Sequence, residues 1–236
     1  MSNARERLTH LIELASQSAP EKQRALATEL CDLLIDWPVD YSSAMRAPFE
    51  ALLEKVARGV DRTTRRQLAT RLAAHSETPL DLLNGFFFDL PLESRMALLA
   101  RNDEASDGHA APVPEAEVEI PLVDILRKTD RTRFAIALGE FLHIDAATAG
   151  RILDDPTGEA LAVASRGARL ARATFSAMAV LANGKMPETI EAIYARLGTI
   201  DSIPQAGAER LLDFWRVHRE VAPHATEDET LAYASA

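Results

Sequence analysis

Asp154-Asp155-Pro156-Thr157-Gly158-Glu159 offers three carboxylates, a hydroxyl and a glycine in six positions, a composition able to hold a cation or cradle a phosphate. An EF-hand loop would space its oxygen donors at alternate positions and close on a glutamate a full loop-length later, which this run does not do. A P-loop would need several glycines leading into Gly-Lys-Ser/Thr, and here Gly158 stands alone. What the six residues suit is the start of a helix: Asp155 as N-cap, Pro156 at the first helical position and Glu159 against the positive end of the dipole. Capping is the expected role.

The other chemistry-bearing residues are equally scattered. His10, His75, His109, His143, His218 and His224 include no pair at the i, i+4 spacing of a helical zinc site, and Cys31 is the only cysteine. Cys31 falls on an apolar helix side beside Leu30 and Leu34, where a cysteine acts as a small hydrophobe. No Gly-x-Ser-x-Gly elbow is present, and no histidine is followed directly by the acidic residue a phosphoacceptor would want. No catalytic residue, metal or cofactor is therefore assigned, and an enzyme is the less favoured reading.

Two arginine clusters interrupt an acidic background. Arg62, Arg65, Arg66 and Arg71 form one; Arg166, Arg169 and Arg172 form the other. Helical spacing places Arg62, Arg65 and Arg66 on a shared face, suited to an acidic segment, a phosphorylated loop or a nucleotide; the competing use is to neutralise the chain's own carboxylates. Phe86-Phe87-Phe88 cannot point one way on a helix, so at least one ring must pack on a loop, a neighbouring domain or another chain. Phe214-Trp215 raises the same choice.

These residues must be carried by helices. Apolar content is 47% with only 6% aromatics, and Ala and Leu predominate. Apolar residues recur at three- and four-residue intervals, as in Leu8, Leu11, Ile12 and Ala15, then Leu26, Leu30, Leu33 and Leu34. Ser18-x-x-Glu21 and Thr226-x-x-Glu229 read as capping boxes. Helices are expected over 43–58, with Pro48 kinking or opening the main part, and over 62–75 after Asp61, with further starts at Pro79 and Pro91. The second half predicts helices near 123–128, 131–142, 146–153, 158–166, 171–182, 187–197 and 204–217. No alternating run marks a dependable strand.

Arg65-x-x-Leu68-Ala69 and Arg95-x-x-Leu98-Leu99 lie 30 residues apart, a faint repeat of the kind stacked helical hairpins carry. Between Asn102 and Asp124 there is no Lys or Arg, while acids and prolines accumulate. The expectation is an all-α, HEAT-like chain: an N-terminal subdomain 1–101, an acidic linker 102–121 and a C-terminal subdomain 122–236.

A net charge of -10 and a pI near 5.1 argue against the basic stripe that nucleic acid needs and disfavour anionic membranes. No segment approaches the ~20 apolar residues of a membrane span, and the N-terminal residues lack a signal-type h-region. A cytoplasmic location is expected.

Leu126-Arg127-Lys128 through Phe134-Ala135-Ile136-Ala137-Leu138, Ile152 through Ala162, and Ala171 through Phe175 resemble the C-terminal part of a bacterial family catalogued as domain of unknown function 2336. Arg65 through Ala73 is similar to that family's arginine-bearing Leu-Ala helices. The resemblance implies a helical-repeat protein and no reaction. The functional expectation is a non-enzymatic adaptor or regulatory scaffold with a protein partner, self-association into a homodimer being compatible with it. The alternative is a sensor or enzyme for a small anionic ligand, its pocket lying between the subdomains and Arg166, Arg169 or Arg172 holding the anion.

Overall fold

In the computed structural model, which describes residues 2–15, 19–39, 41–106, 116–128, 130–182 and 189–218, helices begin where prolines and capping side chains allow. The fold is all-α, with no strand among the described residues. The chain forms two compact units, Met1–Ala105 and Ser106–Ala236. Ser18, Pro187 and the Thr226-x-x-Glu229 capping box lie outside the described residues.

The first unit holds α1 (Ser2–Ala15), α2 (Pro20–Ile35), α3 (Arg46–Gly59), α4 (Arg62–Ala73), α5 (Leu80–Gly85) and α6 (Leu92–Glu104). Its centre is α2, whose Leu26, Ala27, Leu30, Cys31, Leu33 and Leu34 are buried against α1, α3 and α4. The apolar stripe of α1 is turned from the expected one: Leu11 and Leu14 are buried, whereas Ile12 is 69% exposed. Only a 3-10 turn, Ser43–Met45, precedes α3, because Pro48 fits a first turn and not a helix interior.

The phenylalanine triple is not on one helix. Phe86 caps the end of α5, and Phe87–Asp89 form a 3-10 turn that swings Phe86 and Phe87 into the core while Phe88 meets Phe87 edge-on at 5.5 Å. The two repeat-related arginines serve this turn. Arg65 pairs with Asp89 at 3.4 Å, and Arg95 donates to the carbonyls of Leu90 and Phe88 with its guanidinium 5.0 Å from the Phe87 ring. Asn84 and Asn102, buried on α5 and α6, exchange hydrogen bonds of 2.8 and 3.2 Å, so neither amide is left dry and unpaired.

The expected linker 102–121 is therefore too long at both ends. Asn102–Glu104 complete α6, where the Asn84 bond needs them, and Ala116–Pro121 belong to the next helix. Residues 107–115 lie outside the described chain.

The second unit comprises α7 (Ala116–Lys128), α8 (Arg131–Leu142), α9 (Ala146–Asp154), α10 (Glu159–Gly167), α11 (Arg172–Ala182), α12 (Ile190–Ser202) and α13 (Gln205–Val217). Asp130, Asp145 and Thr189 cap α8, α9 and α12 by accepting from the backbone amides of Arg133, Thr148 and Ala192. Helix α10 is the core. Every residue from Glu159 to Ser165 is buried, as is Gly167, and α13, α12, α9 and α11 surround it. Trp215 of α13 is buried, while Phe214 stacks on His218 at 4.0 Å.

The acidic stretch that leads into α10 does cap it, but from further back than expected. The chain turns first, Gly158 N–H donating to the Asp155 carbonyl, and the helix starts at Glu159 rather than Pro156. Asp155 reaches over this turn to accept from the Ala160 amide at 2.9 Å and from the Thr157 hydroxyl at 2.8 Å. Gly158 closes the turn at φ 72°, a left-handed conformation that a side chain resists, and Arg196 lies where a Cβ would project.

Candidate functional site

Helix α4 reads Arg-Thr-Thr-Arg-Arg-Gln-Leu-Ala-Thr-Arg-Leu-Ala, and its start is fixed by Asp61. The Asp61 carboxylate accepts from the Thr64 amide at 3.0 Å and the Thr64 hydroxyl at 2.7 Å. Those two bonds, with help from Arg24, hold its carboxyl down from an ordinary 3.8 to about 2. A carboxyl held lower in the folded chain stabilises it above pH 3.8 and loses that contribution as pH falls towards 2. Asp61→Asn, which keeps the cap's shape, is expected to flatten the acid limb of stability between pH 4 and 2, as followed by circular dichroism.

With Leu68, Ala69 and Leu72 turned into the core, Arg62, Thr63, Arg66, Gln67 and Thr70 face outward. Two ion pairs join α4 to α2: Arg24 to Asp61 at 3.0 Å near both helix starts, and Arg71 to Asp32 near both ends. The helices consequently run parallel. Between the pairs, over about 12 Å of helix, lies a recess of ≈ 470 Å³ lined by Thr28, Thr63, Thr64, Arg66, Gln67, Leu68, Thr70 and Arg71.

The chemistry of the recess follows from what its groups already do. Thr28 and Thr70 donate their hydroxyl protons to the carbonyls of Arg24 and Arg66, at 3.0 and 2.8 Å. Arg71 is committed to Asp32. Among the described residues the side chains of Arg62, Thr63, Arg66 and Gln67 have no protein partner, and they remain as donors towards solvent. Such a set has the donor chemistry that suits carboxylate or phosphate oxygens.

The expected shared face of Arg62, Arg65 and Arg66 is split. Successive residues on a helix are about 100° apart, so Arg66 lines the recess while Arg65 turns inward to Asp89. Arg62 stays exposed on the Arg66 side, one turn earlier.

The second cluster is dispersed over three elements. Arg169 takes a left-handed φ of 55° at the end of α10, where Leu170 N–H bonds the Ser165 carbonyl and Arg169 N–H bonds that of Arg166. Glycine usually fills this place in a Schellman motif. Here Arg169 Nε donates to Glu209 Oε1 at 2.6 Å, an oxygen that Gln205 also bonds. Arg172 pairs with Asp201 at 2.6 Å. The Arg166 carbonyl accepts from Gln205 at 2.9 Å, and its Nε is buried without a hydrogen-bond partner. His143 adopts the same left-handed end for α8, at φ 60°.

Thr28, Thr63, Gln67 and Thr70 were not singled out by sequence spacing. The available signal was the uniformly polar outer face of α4, which becomes a wall only once α2 lies alongside. No group of three or more His, Cys, Asp or Glu placed to hold a metal occurs among the described residues, and no helix there is long and apolar enough to cross a membrane. Compared with known proteins, the chain matches no family model, no curated protein and no solved structure.

Proposed function

We propose that the chain is a non-enzymatic adaptor or regulatory scaffold, and that the α2/α4 recess of the first unit grips an acidic segment of a protein partner. The observation that supports this most directly is the pair Arg62 and Arg66: in a chain of net charge -10, neither has a carboxylate partner among the described residues, and Arg66 lines an open recess. Guanidinium groups at a rim steer an acidic partner and fix its register. Affinity capture from the source cells should return a partner that Arg62→Glu/Arg66→Glu loses at least about tenfold, a difference of ~1.4 kcal/mol. An unchanged set of captured proteins would end this reading.

A small anionic ligand between the two units, held by Arg166, Arg169 or Arg172, has less support, because Arg169 and Arg172 already face Glu209 and Asp201. Kinship with domain of unknown function 2336 and a place in the bacterial cytoplasm belong to the same proposal. Sparse cysteine use fits a reducing compartment: Cys31 is buried, and burial pushes its thiol up to about 11.

A further inference from the structure

The recess between α2 and α4 is polar at its rim and apolar inside. Thr28, Thr64 and Thr70 all line it, yet their hydroxyl protons are committed within the chain, to the Arg24 carbonyl, the Asp61 carboxylate and the Arg66 carbonyl. Their methyls are what remains to face a ligand. Leu68, 2% exposed, joins them as the floor, and no carboxylate is among the described residues that line the space. The uncommitted donors Arg62, Thr63, Arg66 and Gln67 fall within the first six residues of α4 and stay exposed.

Resting on the reading of this recess as a grip for an acidic segment, we propose that the segment it recognises carries a large apolar side chain beside its acids. The apolar group enters the recess over Leu68, and the neighbouring carboxylates meet Arg62 and Arg66 at the rim. Carboxylates alone would use only the rim. One pushed inside would leave water for methyls and for hydroxyls whose protons are already spent, a transfer that costs free energy. An apolar side chain gains from the same surroundings, by about 0.8 kcal/mol for each CH₂ removed from water.

The ends of the recess agree. The pairs Arg24–Asp61 and Arg71–Asp32 bridge α2 to α4 at either end, about 12 Å apart along the helices. A space bridged in this way suits a side chain entering from above, with its neighbours resting on the rim. Charge is complementary as well, because the groups left over at that rim are cationic or neutral donors in a chain that is acidic as a whole. A dry apolar anchor inside a charged border is the arrangement in which a short contact gains most of its affinity.

The test pans a randomised heptapeptide library over the full chain and over its Arg62→Glu/Arg66→Glu variant. Sequences enriched by the parent and lost by the variant are expected to carry Leu, Ile, Met or Phe within two positions of Asp or Glu. The most enriched peptide is then titrated by fluorescence anisotropy. Replacing its apolar residue by Gly should weaken binding to the parent at least about tenfold. Thr28→Ser/Thr70→Ser is the matching change in the chain: it keeps both hydroxyls and all four donors and removes two methyls. It should melt as the parent does and bind the peptide at least about fivefold more weakly. Enrichment of acids without an apolar neighbour, or an affinity indifferent to both the Gly peptide and the serine pair, overturns the proposal and leaves the acidic-segment reading standing. A library that yields nothing on the parent, or the same sequences on the Arg62→Glu/Arg66→Glu chain, overturns both.

Discussion

Gly167→Ala is expected to lower the melting temperature of the chain by roughly 5–10 °C, although alanine is the better helix former by about 1 kcal/mol. A Cβ on Gly167 would stand 2.6 Å from the Ala208 carbonyl oxygen and 3.0 Å from the Leu212 Cβ. A backbone oxygen cannot swing aside as a flexible side chain can, so α10 and α13 must separate. Separation also stretches the bonds that tie the end of α10 to α13, Gln205 to the Arg166 carbonyl and Arg169 to Glu209. Overpacking of this kind costs about 1–3 kcal/mol, with the upper end expected because the obstacle is main chain. Gly150→Ala on α9 is the matched control. Nothing lies within 4 Å of its Cβ position, and it should be neutral or stabilising. Should Gly167→Ala melt at or above the parent, the close approach of α10 and α13 is wrong.

Phe87→Ala is the second large effect, about 3–5 kcal/mol by urea unfolding. Phe87 is fully buried, and its ring supports both Phe88, edge-on at 5.5 Å, and the Arg95 guanidinium at 5.0 Å. Truncation opens a cavity and strips the cation of its aromatic face. Arg95 is itself 8% exposed and holds the carbonyls of Phe88 and Leu90, so the two residues stabilise one turn from opposite sides. A double-mutant cycle with Arg95→Met should show coupling of about 0.5–1 kcal/mol. Additive losses would mean that ring and guanidinium act independently.

Helix positions were legible because their causes are local. Asp61 with Thr64, Pro79 and Pro91 act within one turn, and each starts a helix where the sequence places it. The expected span of α10, 158–166, lies within one residue of the observed helix, but Pro156 is not its first residue, because Asp155 caps across a turn closed by the left-handed Gly158, a reach that a capping pattern does not encode. The left-handed ends at His143 and Arg169 were equally hidden, since glycine is the usual signal there. Of the candidate site, the arginines could be read, but their division could not. Asp89 claims Arg65 from 24 positions away in sequence, and Asp32 claims Arg71 from 39. The recess depends on α2 and α4 lying parallel, which follows from the tertiary ion pairs at their two ends.

Helix α10 has nine residues, fewer than the ~12–15 an isolated helix needs to be even marginally stable in water. Its surroundings hold it, and its most extensive neighbour, α13, begins at Gln205, thirty-eight positions after Gly167. During synthesis the second unit therefore cannot commit to its native arrangement until the chain as far as Val217 has left the ribosome. A premature stop anywhere upstream of Gln205 would yield an uncapped, aggregation-prone fragment rather than a shortened working protein.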